Sequence, residues 1–470
     1  MKNYGNKAKD LKICYIGGGS RGWAWSLMSD LALQDTISGT VALYDIDREA
    51  AEANEVIGNR ISAMPEAKSM WKYEAVHDIG AALRGADFVI ISIMPADFEE
   101  MASDVHAPEK YGIYQSVGDT TGPGGLFRAL RTIPMYVVIA EAIKEFAPDA
   151  WVINYTNPMA LCMATLYEVF PGIKAFGCCH EVFGTQKLFA RTAEEMLGIE
   201  NVSREDININ VLGINHFTWI DRASLRGTDL MPVYKDFARK HSVMQGEGGG
   251  AGKAAEAGIE IEEGNLNAFF KCRNLVKFDL LQRFGIAAAA GDRHLAEFVP
   301  WYLEGRDTCE KWGFALTPVS WRVEARKMRI EKSRQYASGE LPVELRTSGE
   351  DGVKQMVALL GLGDIITNVN MPNIGQMSGL RHGAIVETNA VFRKNEARPV
   401  MAGALPAAVN LLILRHTDVH AAVLKAALEK DKDLAFWAFT QDPLTTKLTL
   451  NDATALFEEM LENTKSYLPF

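Results

Sequence analysis

A continuous apolar run, Leu11-Lys12-Ile13-Cys14-Tyr15-Ile16, passes directly into Gly17-Gly18-Gly19-Ser20-Arg21-Gly22. This junction constrains the fold more than any other feature of the chain. A run without polar alternation predicts a strand buried on both faces, which is the environment of a parallel sheet covered by helices. The glycines satisfy the spacing G-x-G-x-x-G between a strand and a helix, the context in which that pattern is informative. There they let the backbone turn tightly and approach a pyrophosphate whose charge is met by the helix N-terminus. The alternative is a plain strand-to-helix turn. Asp45, in Leu43-Tyr44-Asp45-Ile46-Asp47, closes the next apolar run 28 positions after Gly17 (45 − 17). A carboxylate at that place accepts hydrogen bonds from ribose hydroxyls and repels a 2′-phosphate. Gly17, Gly18, Gly19, Ser20, Arg21 and Asp45 are therefore candidate contacts to NAD rather than NADP.

Similar runs recur at 41–46, 88–93, 151–155 and 174–179, separated by segments with helical spacing. Strand and helix alternate, so residues 1–202 read as a Rossmann-like doubly wound parallel sheet binding NAD. After residue 202 the rhythm changes. Residues 207–225 look extended and prone to antiparallel pairing, and long helical stretches follow from about 230 to the end. The expected architecture is α/β, with 203–470 as an α+β domain for substrate, metal and oligomerisation. Gly246-Glu247-Gly248-Gly249-Gly250-Ala251-Gly252 interrupts the second half as either a surface linker or a lid.

Net charge bounds the partners. At −11 the chain lacks the clustered Lys and Arg that a nucleic-acid backbone demands, and an anionic substrate would need a local basic pocket. No stretch approaches a membrane span, and the polar first ten residues do not read as a signal peptide, so a cytoplasmic location is expected. Six cysteines, at 14, 162, 178, 179, 272 and 309, do not form a disulfide framework in a chain of 470 residues.

Chemistry gathers beyond the strand ends, where open α/β sheets hold their ligands. Cys179 closes the last clear parallel run, and His216, in Gly213-Ile214-Asn215-His216, could reach the same crevice and share an ion with it. A buried thiol and a structural imidazole are the plainer explanations. Asn157, before Pro158, can donate and accept to a pair of sugar hydroxyls, or can cap the following helix. Gly118-Asp119-Thr120-Thr121-Gly122-Pro123-Gly124-Gly125 could border nicotinamide and substrate, which makes Asp119 a candidate cofactor contact. It could equally be a long crossover connection. Gly291-Asp292-Arg293-His294, with Glu297 one turn later, clusters groups suited to acid/base work.

These residues resemble family 4 of the glycoside hydrolases, the NAD- and divalent-metal-dependent glycosidases. The resemblance runs nearly end to end, through Ile16-Gly17 to Ser20, Tyr44-Asp45-Ile46-Asp47, Gly118 to Gly125, Asn157-Pro158, Cys179-His180, Gly213-Ile214-Asn215-His216 and Gly383-Ala384-Ile385-Val386-Glu387. It implies a two-part arrangement like that of lactate and malate dehydrogenases. It also implies Mn²⁺ held by Cys179 and His216, a sugar held by Asn157, and His180 as proton donor. Asp292 best matches the base that removes the C2 hydrogen, with His294 or a nearby tyrosine as competitors. Arg293 is the substrate contact chosen for an anionic group, with Arg128 and Arg131 open beside it. The stretch Cys179-His180-Glu181-Val182 resembles the branch acting on α-galacturonides; α-glucuronides and α-galactosides are the alternatives within the family. The implied reaction oxidises the sugar transiently at C3, deprotonates C2, eliminates the aglycone and adds water. This departs from the two-carboxylate scheme of most glycosidases. A homodimer or homotetramer is implied as well. Outside the family, an NAD-dependent 2-hydroxy-acid dehydrogenase shares the nucleotide-binding features, and a non-enzymatic NAD sensor is a third reading.

Overall fold

The computed structural model describes residues 2–4, 6–242, 272–305, 309 and 311–470. The glycine-rich stretch 246–252 lies outside them. A central sheet is built on six parallel strands: β2 (Lys7–Ile16), β3 (Ile37–Tyr44), β4 (Trp71–Ala75), β5 (Phe88–Ile91), β6 (Trp151–Asn154) and β7 (Lys174–Gly177). Their spatial order is β4-β3-β2-β5-β6-β7, with short β1 (Lys2–Tyr4) paired antiparallel to β2. Counted from β2, that is the order 3-2-1-4-5-6, with its reversal point between β2 and β5. Ile13, Val41, Val89, Val152 and Ile153 are almost wholly buried, as strands covered on both faces must be.

Beyond the parallel strands, a separate hairpin joins β8 (Ile207–Ile214) to β9 (Phe217–Leu225), in agreement with the extended reading of 207–225, and β10 (Ala287–Ala288) pairs with β9. The central sheet itself does not end at β7. Strand β11 (Ile365–Pro372) meets β7 through Asn370 and Gly177, β12 (Ile385–Arg393) pairs along the whole of β11, and β13 (Glu396–Pro399) closes the edge, all antiparallel. The expectation of helix from about 230 to the end therefore fails over 365–399. Polar Thr367, Asn368 and Asn370 are buried, Thr367 donating to Asp351 on one face and Asn368 to Glu387 on the other, so the strand's pattern is not an apolar one. Asn389 Nδ2 donates to Ile209 O at 2.6 Å and so ties the hairpin to the sheet. Among the described residues no helix is long and apolar enough to cross a membrane.

Candidate active site

Three chain segments converge, two from the carboxyl ends of parallel strands and one from the turn of the separate hairpin. The first is the glycine loop after β2. Gly17 and Gly18 both donate to Tyr44 O at 2.9 Å, folding the loop back over the end of β3. Gly17 has φ +92°, and a Cβ there would lie 2.0 Å from Ser92 O, so no other residue fits. Asp45 accepts from Gly19 N at 2.8 Å and from Asp47 N at 2.9 Å, while Arg21 reaches Asp47 at 3.2 Å. Asn54 Nδ2 bonds the carbonyls of Gly18 and Ser20, at 2.8 and 3.1 Å, and fixes the loop from beneath. Helix Trp23–Leu33 then starts at Gly22 with no side-chain cap, which leaves its first amides available to a phosphate. The residues fit a dinucleotide.

The second segment is the turn between β8 and β9. Ile214 pairs with Phe217, so Asn215-His216 is a two-residue connection, and His216 takes a left-handed φ of 63°. Gly213 permits the tight approach, since a Cβ there would sit 2.5 Å from Phe217 O. The turn delivers His216 into a group with Asp119 and His294 whose ligand atoms lie within 4.8 Å of one another. The two imidazole centroids are 3.8 Å apart. Thr120 Oγ1 lies 2.7 Å from Asp119 Oδ1 and 2.9 Å from His216 Nδ1. A hydroxyl has one proton, and a carboxylate can only accept it. The hydroxyl must therefore accept from Nδ1–H, which leaves the Nε2 lone pair of a neutral His216 free for a cation. Burial drives the His216 pKa down to about 3 and lowers that of His294. For Asp119, burial acts upward, but the imidazole pair, Arg128 and Thr120 outweigh it and push the pKa below the usual range. Two uncharged imidazoles and a charged carboxylate suit a borderline or hard divalent ion.

The third segment follows β7. Cys179 is not one of those three donors. Its carbonyl accepts from Asn368 Nδ2 at 3.3 Å; burial raises the thiol pKa, with the Glu387 and Glu181 charges acting the same way. His180 begins helix Glu181–Leu197, with Nδ1 2.9 Å from Glu350. The Glu350 hydrogen bond raises its pKa against the opposing effect of burial. Glu181 accepts from Gly291 N at 2.7 Å and lies 3.9 Å from both His180 and His294.

Other expected residues fall as follows. Asn157 does not cap the next helix, whose N-cap is Pro158, and its buried Oδ1 has no partner among the described residues. Asp292 is fully buried, accepts from Lys277 N at 3.0 Å and Val276 N at 3.3 Å, and has its pKa raised by burial to about 6. Arg293 Nη2 bonds Ser116 O at 3.0 Å and the Thr317 hydroxyl. Arg131 is locked onto Asp104 with both side chains fully buried, which removes it from the candidates for an anionic group. Sequence reasoning left Glu350 and the buried polar set around Glu387 without a role. Asn368 and Asn215 donate to Glu387 at 2.7 and 3.2 Å, and burial lifts its pKa to about 7.

Fold and site together define a Rossmann-type α/β protein with a dinucleotide loop and an imidazole–carboxylate cluster on one edge of the sheet. The chain belongs to family 4 of the glycosyl hydrolases: the family pattern matches residues 12–195, and the pattern of its C-terminal domain matches 211–445. It is 59% identical to an alpha-galacturonidase of Thermoanaerobacterium saccharolyticum over 100% of this chain and 98% of that one. The solved structure of Bacillus subtilis lplD superposes with a TM-score of 0.89 at 50% identity, covering 97% of this chain and 100% of its own. A 6-phospho-alpha-glucosidase from gut microorganisms, solved in complex with NAD and Mn²⁺, shares the fold at a TM-score of 0.78 and 21% identity, over 98% and 99% of the two chains.

Proposed function

We propose that this protein hydrolyses α-galacturonides by a mechanism that uses NAD⁺ and Mn²⁺. The observation that carries the reading is the 59% identity over the full chain to an alpha-galacturonidase. Gly17, Gly18, Gly19, Ser20 and Arg21 would hold the pyrophosphate and Asp45 the ribose, with Asp119 bordering the nicotinamide. His216 and Cys179 would hold the cation. The free Nε2 of His216 supports the first; Asp119 and His294 crowd the same position and complete a donor set. When bound, the two groups supply hydride acceptance at the sugar C3 and Lewis-acid polarisation of the resulting ketone.

The chain's own side chains do the rest. Asn157 offers its unpartnered Oδ1 to a sugar hydroxyl. Asp292 takes the acidified C2 proton; a carboxyl with a pKa near 6 is a better matched base at neutral pH than an ordinary one. His180, whose pKa the Glu350 hydrogen bond raises, delivers a proton to the departing glycosidic oxygen. Arg293 belongs to the positive border of the substrate site. A division near residue 202 is supported by the break between the two family patterns, at 195 and 211. A homodimer or homotetramer belongs to the same reading.

The test is a panel of p-nitrophenyl α-galacturonide, α-glucuronide, α-galactoside and a 6-phosphoglucoside, each with and without NAD⁺, Mn²⁺ and a thiol reductant. We expect fastest release from the galacturonide, dependence on all three additions, and no build-up of NADH. Preferred cleavage of another glycoside, or NADH accumulating with a 2-hydroxy acid, would overturn the reading.

A further inference from the structure

A uronide carries a carboxylate that must be matched inside a protein of net negative charge, and four arginines stand near the loop Ser116-Val117-Gly118-Asp119. Arg131 is consumed by Asp104. Arg128 donates through Nε to Asn157 O at 3.1 Å and faces Asp119. Arg293 is engaged with Ser116 O and Thr317. Arg322, in the first turn of helix Val319–Ser338, is held least of the four: among the described residues it makes, like Arg128, no ion pair, its buried Nε has no hydrogen-bond partner, and its Nη2 only grazes Val117 O at 3.5 Å. A planar fork of five donors left this open is costly unless something fills it.

The neighbouring geometry says where a ligand would lie. Val117 N and Gly118 N both donate to Glu297 Oε1, at 2.7 and 2.9 Å, so the loop is tied to Glu297. Its far end, Asp119, belongs to the imidazole cluster, while Arg322 senses both Asp119 and Glu297. Glu297 Oε2 has no partner among the described residues. Arg322 thus lies by the same loop that carries Asp119 into the cluster, on the side of Val117.

We propose that Arg322 binds the C6 carboxylate of the uronide through its guanidinium fork, with Arg128 and Arg293 as the positive surround. The inference rests on the galacturonide reading above and names the residue that would set it. Arginine is the side chain suited to such a pair, because its planar donors match both carboxylate oxygens at once.

The test compares wild type, Arg322→Gln and Arg322→Lys with NAD⁺, Mn²⁺ and reductant present. It measures kcat and KM for p-nitrophenyl α-galacturonide and inhibition by galacturonate and by galactose. For Arg322→Gln we expect KM for the galacturonide and Ki for galacturonate to rise about 100-fold, kcat to stay within about threefold, and galactose inhibition to be unchanged. For Arg322→Lys, which keeps the charge but loses the fork, we expect a rise of about tenfold, and this variant decides the matter if Arg322→Gln does not fold. An unchanged KM in a folded variant, or equal loss of galacturonate and galactose inhibition, overturns the assignment while leaving the galacturonide reading intact. A wild-type enzyme inert on the galacturonide overturns both.

Discussion

Asp292 is a buried carboxyl that holds a helix start, and it is the base of the proposed reaction. It accepts backbone amides at the start of helix Leu275–Phe284, and it sits in a site where burial lifts its pKa from 3.8 to about 6. Asn at this position keeps an acceptor for the helix but cannot take a proton. We therefore expect Asp292→Asn to lower kcat by about 10² to 10⁴-fold, to abolish exchange of the sugar C2 hydrogen with D₂O, and to leave the circular dichroism unchanged. Retained turnover would leave Asp292 a helix cap only. The folded pKa lies above the unfolded one, so the protein binds more protons folded; this contribution is complete below about 3.8 and is lost as pH rises through about 6. Asp292→Asn is expected to lose that decline in a urea titration series. The sequence displayed His216, Cys179, Asn157 and Asp292 because their neighbours carry turn and strand-end signals. It hid Glu350 and Asn368 and showed Glu387 only as the end of a motif without a role; all three come in from well over a hundred residues beyond Cys179, and only tertiary pairing brings them there.

Elements carry their own signatures, and glycine substitutions separate them. Gly17→Ala must leave a left-handed φ of 92° and relieve a 2.0 Å approach to Ser92 O. The backbone conformation alone costs roughly 1–2 kcal/mol. We expect lower thermal stability and at least about tenfold weaker NAD⁺ binding, measured by fluorescence titration, because the loop amides move off the pyrophosphate. Gly184 is exposed inside helix Glu181–Leu197, and a methyl group added there would meet nothing within 4 Å. Gly184→Ala is expected to stabilise the fold by about 0.5–1 kcal/mol with NAD⁺ binding unchanged. The same contrast explains what was readable. Strands β2, β3, β5, β6 and β7 announce themselves as apolar runs, and the expected ends overshoot by two residues at 46, 93 and 179 because the chain stays apolar or small as it turns into the site. Strand β4 escapes that criterion: Trp71-Lys72-Tyr73-Glu74-Ala75 alternates, as an edge strand with one face outward does. Strand β11 escapes because three of its four buried positions, Thr367, Asn368 and Asn370, are polar, with only Val369 apolar.

At the scale of the whole molecule, the proposed division near residue 202 does not divide the core. Ile13, Tyr15 and Phe176 from the parallel strands pack in one cluster with Val353, Met356, Leu359, Val369 and Phe392 from the second half. Phe176 and Phe392 meet edge to face at 4.9 Å. On the other side, helix Gly122–Phe146 lends Phe127 to a cluster with Phe439 and Phe457 near the C-terminus, at ring separations of 6.2 and 5.3 Å. Each large side chain uncovered forfeits about 1.5–3 kcal/mol, while a whole domain is stable by only about 5–15 kcal/mol. Removing the second half exposes several such side chains at once and bares strand β7 as an open edge. We therefore expect a fragment of residues 1–202 to lack a cooperative thermal transition, to bind a hydrophobic dye or aggregate, and not to retain NAD⁺. The full chain should unfold with tryptophan fluorescence and far-ultraviolet circular dichroism changing together, since the tryptophans of both halves report on connected cores. A fragment that melts sharply and still binds NAD⁺ would show that the nucleotide-binding half carries its own stability, and that the antiparallel strands β11, β12 and β13 are an addition to it rather than part of its core.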